Sequence, residues 1–177
     1  MEQWLWEPTT LQSLLVASGV EWDDETRQAL YAQARRAKAD DLARQAFFSA
    51  TEWALLSDYN VQNADETVMA LTQRLARQYI PHDVPHPTDF SALYAVADAN
   101  IRDGECAALY RYLWAETVAA RVFTYTKTEY QKQGTLPQEL LQAHLCRPSS
   151  WKELTEAFDM SADSIETDVL WERYQFE

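Results

Sequence analysis

Three glycines in 177 residues narrow the fold of this chain more than any other feature. Average usage is about 7% glycine, and sheet proteins spend it on hairpins, bulges and tight turns. So few glycines cannot supply a β-meander, a P-loop or a dinucleotide-binding fingerprint. The expectation is an all-α chain. Apolar residues at 47% and charged residues at 24% are globular values rather than those of a disordered chain. The length suits one helical domain over residues 1–177, large enough to bury a sizeable core.

Helical periodicity runs along nearly the whole sequence. A first helix is expected after Pro8, capped by Thr9 or Thr10, carrying Leu11, Leu14 and Leu15, and closed by Gly19. Trp22-Asp23-Asp24 opens a second helix to about Arg36, with acids in the first turn where the macrodipole favours them. A third is predicted from about Asp40 to Tyr59. Asn63-Ala64-Asp65-Glu66 reads as the cap of a fourth, with Val68, Leu71, Leu75 and Tyr79 on its apolar face. Pro81, Pro85 and Pro87 make Ile80–Thr88 a loop, and a short helix is expected near Asp89. The most apolar stretch, Cys106 to about Tyr130, is hydrophobic on nearly every side and reads as a long, buried central helix. Gly134 closes it and Pro137 falls in the first turn of the next. Ser150-Trp151-Lys152-Glu153 has the pattern of a capping box, and a final helix runs from about Asp163 to Trp171. The expected total is eight or nine helices.

The formal charge of −13 argues against a nucleic-acid partner, which requires a Lys/Arg surface to displace counterions. Anionic membrane surfaces are disfavoured for the same reason. No window approaches the roughly 18 consecutive apolar residues of a membrane span. Met1–Trp6 carries neither a basic region followed by an apolar run nor an Arg-rich presequence. Two cysteines, Cys106 and Cys146, do not form a disulfide framework, so a reducing intracellular compartment is expected, cytosol or mitochondrial matrix.

Candidate chemistry is sparse. His82 and His86 have the i, i+4 spacing that binds zinc on a helix face, but they flank Asp83, Val84 and Pro85, which removes the helix. They read as solvated loop histidines. His144 has no partner of metal-ligand spacing, and no His-Glu-x-x-His motif occurs. Neither cysteine has a neighbouring base in sequence, and both are expected to pack in the interior. The acid pairs Asp23-Asp24 and Asp40-Asp41 are explained by capping. Aromatic residues are abundant, with 7 Trp, 9 Tyr and 6 Phe. Tyr110 and Tyr112 are about 200° apart around a helix axis, so they cannot serve one pocket together. Trp114 reads as core. Tyr112 is the aromatic with the strongest claim to a polar role.

The string Ala108-Leu-Tyr-Arg-Tyr-Leu-Trp-Ala-Glu-Thr-Val-Ala-Ala120 resembles the tyrosine-rich helix of the thimet oligopeptidase, neurolysin and dipeptidyl carboxypeptidase family of zinc peptidases. Met1-Glu-Gln-Trp-Leu-Trp-Glu-Pro8 is similar to that family's segment just after its third zinc ligand. Ala43-Arg-Gln-Ala-Phe-Phe48 and Leu145-Cys-Arg-Pro148 match further landmarks in the same order. The resemblance covers essentially the whole sequence and only the C-terminal part of the family's chain.

That resemblance implies a helical scaffold whose catalytic zinc is held upstream of the position matching Met1, so no metal site and no cofactor are expected here. It assigns substrate contacts to Gly104, Tyr110 and Tyr112, and oxyanion stabilisation to Tyr112. Other landmarks depart from the pattern. Asn100 or Ala92, depending on the alignment, stands where the loop histidine belongs. Glu105 and Leu109 replace family tyrosines, and Gly104 alone remains of a glycine-rich stretch. The implied function is a non-catalytic, peptidase-derived domain serving as a structural or protein-binding subunit. The alternatives are the C-terminal half of a split zinc peptidase, whose partner chain supplies the metal, and a peptide-binding module. A protein partner or oligomer is expected, with an exposed apolar patch near Trp4, Trp6 and Tyr110.

Overall fold

A computed structural model describes residues 7–19, 22–57, 59, 66–82, 109–160, 168, 170 and 174. Among these residues the regular structure is entirely α-helical, in six helices where eight or nine were expected. The helix expected near Asp89, Gly104 and Cys106 lie outside the described residues. Helical backbone recurs at Asp168, Leu170 and Tyr174, within or just beyond the expected last helix.

Helix α1, Pro8–Ala17, begins one residue before the expected threonine cap. Proline has its φ preset for the first helical position and no N–H to leave unsatisfied there. Thr9 and Thr10 therefore lie inside the helix, and Glu7 takes the N-cap position. Gly19, at φ 72°, supplies the left-handed residue beyond the end.

The main correction concerns helix α2, Asp24–Ser57. It runs unbroken for 34 residues through the boundary expected between Arg36 and Asp40. Ala37, Lys38 and Ala39 are strong helix formers, and neither Gly nor Pro interrupts them. Asp41, read from sequence as a cap, instead accepts from Gln45 at 2.9 Å one turn later and pairs with Lys38, the side-chain spacings that reinforce a continuing helix. The acid that does cap is Asp23, whose carboxylate accepts from the Thr26 amide at 2.6 Å.

Helix α3, Val68–Tyr79, starts later than the Asn63–Glu66 pattern suggested. Thr67 is its N-cap, accepting from the Ala70 amide at 3.2 Å. Helix α4, Tyr110–Gln133, ends at Gly134 with φ 73°. Its middle is buried through Thr117, Ala120, Val122, Phe123 and Thr126. Burial stops towards the ends, where Tyr110, Tyr112 and Tyr130 are exposed. The aromatic density that made this helix look buried throughout thus lies partly on its exposed ends. Helix α5, Gln138–His144, has Pro137 at the N-cap, one place earlier than expected. Helix α6, Trp151–Ala157, carries the expected capping box, with Ser150 and Glu153 bonding each other's backbone amides.

The chain divides into two compact units, residues 36–113 and residues 1–35 with 114–177. In the first, Phe47 from α2 packs against Leu71, Leu75 and Ala76 of α3, with Phe48, Ala54, Leu55 and Tyr79 around them. Fully burying a large apolar side chain contributes about 1.5–3 kcal/mol, so this cluster is what holds α3 to α2. In the second unit, Phe158 is buried under the edge of Tyr125, ring centres 5.7 Å apart. Trp114 packs on Trp151 at 4.9 Å, in keeping with its expected packing role. Lys127 pairs with Glu7 at 2.7 Å, and the Tyr174 hydroxyl donates to Glu116.

Candidate functional site

The first turn of α4 carries the sequence-predicted tyrosines, and its start is fixed by a distant acid. Leu109 is only 8% exposed, and its amide donates to Glu52 Oε2 of α2 at 2.9 Å. The first amides of a helix have no partner within the helix, so a carboxylate placed there satisfies a donor and favours the positive helix end. Glu52 is itself 1% exposed, and its Oε1 has no hydrogen-bond partner among the described residues. A buried carboxylate with one oxygen unpaired is unusual, because buried charges are normally paired.

Beside Glu52, within residues 36–113, lies a cavity of about 760 Å³. Ala46, Ser49, Ala50 and Ala54 keep the α2 side of it shallow, while Trp53, Tyr59, Tyr79 and Tyr110 provide aromatic walls. Glu66 and Arg74 also line it and pair at 2.7 Å. The Glu66 hydrogen bond holds the Arg74 guanidinium above its usual pKa, so Arg74 already has a counter-ion. Tyr59 donates to the Glu66 carbonyl at 3.2 Å, tying the α2–α3 connection to this wall.

Tyr110 and Tyr112 separate as their spacing predicted. Tyr110 is 59% exposed and lines the cavity; Tyr112 is 49% exposed and does not. The Arg111 guanidinium lies 5.3 Å from the centre of the Tyr112 ring, and the Tyr112 hydroxyl makes no hydrogen bond among the described residues. Glu52 and Trp53 were not singled out from sequence. A signal was present for Glu52: it has Phe48 four residues before it and Leu55 three after, which places an acid on an apolar helix face.

The remaining candidates disperse. His82 is exposed, as expected, and His86 lies outside the described residues. His144 packs against the Phe158 ring. Cys146 is exposed rather than packed inside, because α5 has ended and the chain runs through an exposed turn towards Pro148. Among the described residues no three His, Cys, Asp or Glu side chains come together to hold a metal ion. No described helix is long and apolar enough to cross a membrane.

The family model for peptidase family M3 matches residues 1–145. The chain belongs to peptidase family M3. No curated protein and no solved structure matches it significantly. In this M3 chain the match spans the described helices from α1 to α5 and takes in the cavity, Glu52 and both tyrosines.

Proposed function

We propose that this M3 chain is a non-catalytic helical domain that serves as a structural or protein-binding subunit of a larger assembly. The observation that carries the reading is Leu109. Where the resemblance places a tyrosine, this chain has a buried leucine whose amide is committed to Glu52. A position that gave the family a polar side chain here gives packing. Oxyanion stabilisation depends on donors aimed at the developing charge, and losing one costs roughly 10²–10³ in rate. Protein binding is supported by large exposed apolar groups in the same unit, Trp53 at 62%, Leu56 and Tyr110, since exposed apolar patches mark interaction surfaces.

Tyr112 favours a second reading, in which this chain completes a split peptidase. Its phenol is half exposed and could donate to a carbonyl oxygen that gains negative charge during peptide hydrolysis. The residues described here do not fit a zinc site, so the metal would come from ligands outside them, on a partner chain in this reading. Gly104 and Tyr110, the other substrate contacts implied by the resemblance, belong to the same reading.

Isolation of the native assembly with its partners, followed by zinc analysis and a peptide-hydrolysis assay, separates the two. The non-catalytic reading expects a bound partner without stoichiometric zinc or hydrolysis. Zinc at one per assembly, with hydrolysis that Tyr112→Phe lowers roughly 10²-fold, would establish the split enzyme instead.

A further inference from the structure

We propose that a second cavity, in the compact unit of residues 1–35 with 114–177, binds an uncharged small molecule with a long aliphatic chain. It measures about 930 Å³, and every described residue lining it belongs to that unit. Sites for small molecules commonly measure about 300–1,000 Å³. The lining on α4 runs from Trp114 to Tyr130, which at about 1.5 Å per residue is about 24 Å of helix. Thr9, Thr10 and Ser13 of α1 and Leu141 of α5 line the space as well. Spread over that length, the volume gives a section of roughly 40 Å². A helix with its side chains is about 10 Å across and needs roughly 80 Å². The space is a narrow trough, too thin for a partner helix and wide enough for an unbranched chain.

The lining sets the charge of the ligand. Charged residues make up 24% of the chain, yet none is among the described residues that line this cavity. Two of its hydroxyls donate within their own helices, Ser13 to the Thr9 carbonyl at 2.8 Å and Thr126 to the Val122 carbonyl at 2.6 Å. An ionised headgroup drawn inside would lose its hydration without gaining a counter-ion, which is costly. An aliphatic chain gains by the same transfer. The rim is apolar too: Tyr130, Leu136 and Leu145 are exposed and all line the cavity. Exposed apolar groups gathered around one concavity mark a binding site. Trp114, Val118 and Ala119 are half-buried, recessed relative to that rim yet open to solvent, where a thin chain reaches and a folded protein surface does not.

Calorimetry on the full 177-residue chain with 1-decanol, decanoate and decyltrimethylammonium, which share one chain and differ in headgroup charge, tests the assignment. Decanol is expected to bind at least tenfold more tightly than either ion, and at least tenfold more tightly than 1-hexanol, whose chain is shorter. Leu136→Asp and Leu145→Asp, at exposed positions that tolerate a polar residue, should each weaken decanol at least tenfold with an unchanged far-UV CD spectrum. No decanol binding, or affinity that neither substitution changes, would overturn the site. Equal or tighter binding of decyltrimethylammonium would trace the attraction to the net charge of −13 and overturn an uncharged site. Equal binding of hexanol would overturn the long chain. A dimer in sedimentation that both substitutions dissociate and decanol does not would assign the cavity to a second copy instead. None of these results bears on whether the assembly contains zinc and hydrolyses peptides, which decides the proposed function separately.

Discussion

Substitutions at Glu52 make the strongest quantitative test of the structure, because its two carboxylate oxygens have opposite roles. Oε2 accepts from the buried Leu109 amide, and Oε1 is buried without a partner. Glu52→Gln keeps the acceptor and removes the charge. A hydrogen bond to a charged group contributes about 1.5–3 kcal/mol, against about 0.5–1.5 for a neutral one, so the loss there is about 1 kcal/mol. An uncompensated buried ion costs several kcal/mol, while a neutral polar group left unpaired costs about 1–3. The balance favours glutamine by about 1 kcal/mol. Glu52→Ala also removes the charge and leaves no unpaired end group, which offsets the about 1–3 kcal/mol for stranding the Leu109 amide, and it deletes one buried methylene at about 0.8 kcal/mol. Alanine should therefore be less stable than glutamine by about 1 kcal/mol. Urea unfolding followed by far-UV CD measures both differences. In thermal scans the expected order is glutamine above the native chain by about 2–4 °C, with alanine below glutamine by a similar margin. Equal stability of the glutamine and alanine variants would refute the Leu109–Glu52 contact. A glutamine variant less stable than the native chain by more than about 1 kcal/mol would refute the unpaired charge.

Other predictions concern single elements. Leu75→Ala, in the cluster joining α2 and α3, should cost about 2–5 kcal/mol in urea unfolding; a cost under 1 kcal/mol would mean that α3 is not held by that cluster. Gly134→Ala meets no atom within 4 Å but must adopt φ 73°, so it should destabilise by about 1 kcal/mol through backbone conformation alone. Glu153 accepts from the Ser150 amide at 2.7 Å, and that bond, with the Ser150 hydroxyl second, holds its pKa below the ordinary 4.5. A depressed carboxyl pKa means the cap's contribution is complete above about pH 4.5 and is lost as pH falls through the lower folded-state value. An NMR titration of the Glu153 carboxyl should follow this course, and Ser150→Ala, which removes the hydroxyl and keeps the backbone amide, should return it only part of the way towards the ordinary value; no movement would dissociate the hydroxyl from the titration.

The legibility of each feature in sequence follows the range of the interaction that produces it. The Ser150–Glu153 capping box spans four residues, and the pattern identified it correctly. Scarce glycine indicated the helical class because turns are also local. The false break at Asp40 shows where this fails. An acid before an apolar run has the same signature at a cap as in mid-helix, and what decides is the Ala37–Ala39 stretch before it and the Asp41–Gln45 bond after it. Thr67 displaced Asn63 as the cap because several good cap residues adjoin, and packing of Leu71 and Leu75 on Phe47 selects where α3 must begin. Cys146 was misjudged for a similar reason, since apolar character alone does not tell whether the chain has left its helix. Glu52 lies furthest from what periodicity can show, because its partner is 57 residues away. Its surroundings in sequence marked it as out of place without saying what it held.

Leu109 and Glu52 also determine how far the two functional readings can be separated. In residues 36–113 the start of α4 is fixed by a contact that occupies one oxygen of Glu52, and the other is buried without a hydrogen-bond partner among the described residues. Tyr112, a half turn away, takes no part in that arrangement. The two residues therefore have separate roles to test, the Leu109 contact for Glu52 and donation to a substrate for Tyr112. Glu52→Gln, which keeps an acceptor for the Leu109 amide, should leave any hydrolysis by the assembly intact. Tyr112→Phe should lower it roughly 10²-fold. If both substitutions reduced hydrolysis, the cavity beside Glu52 would belong to a substrate site, and the chain would be half of an enzyme.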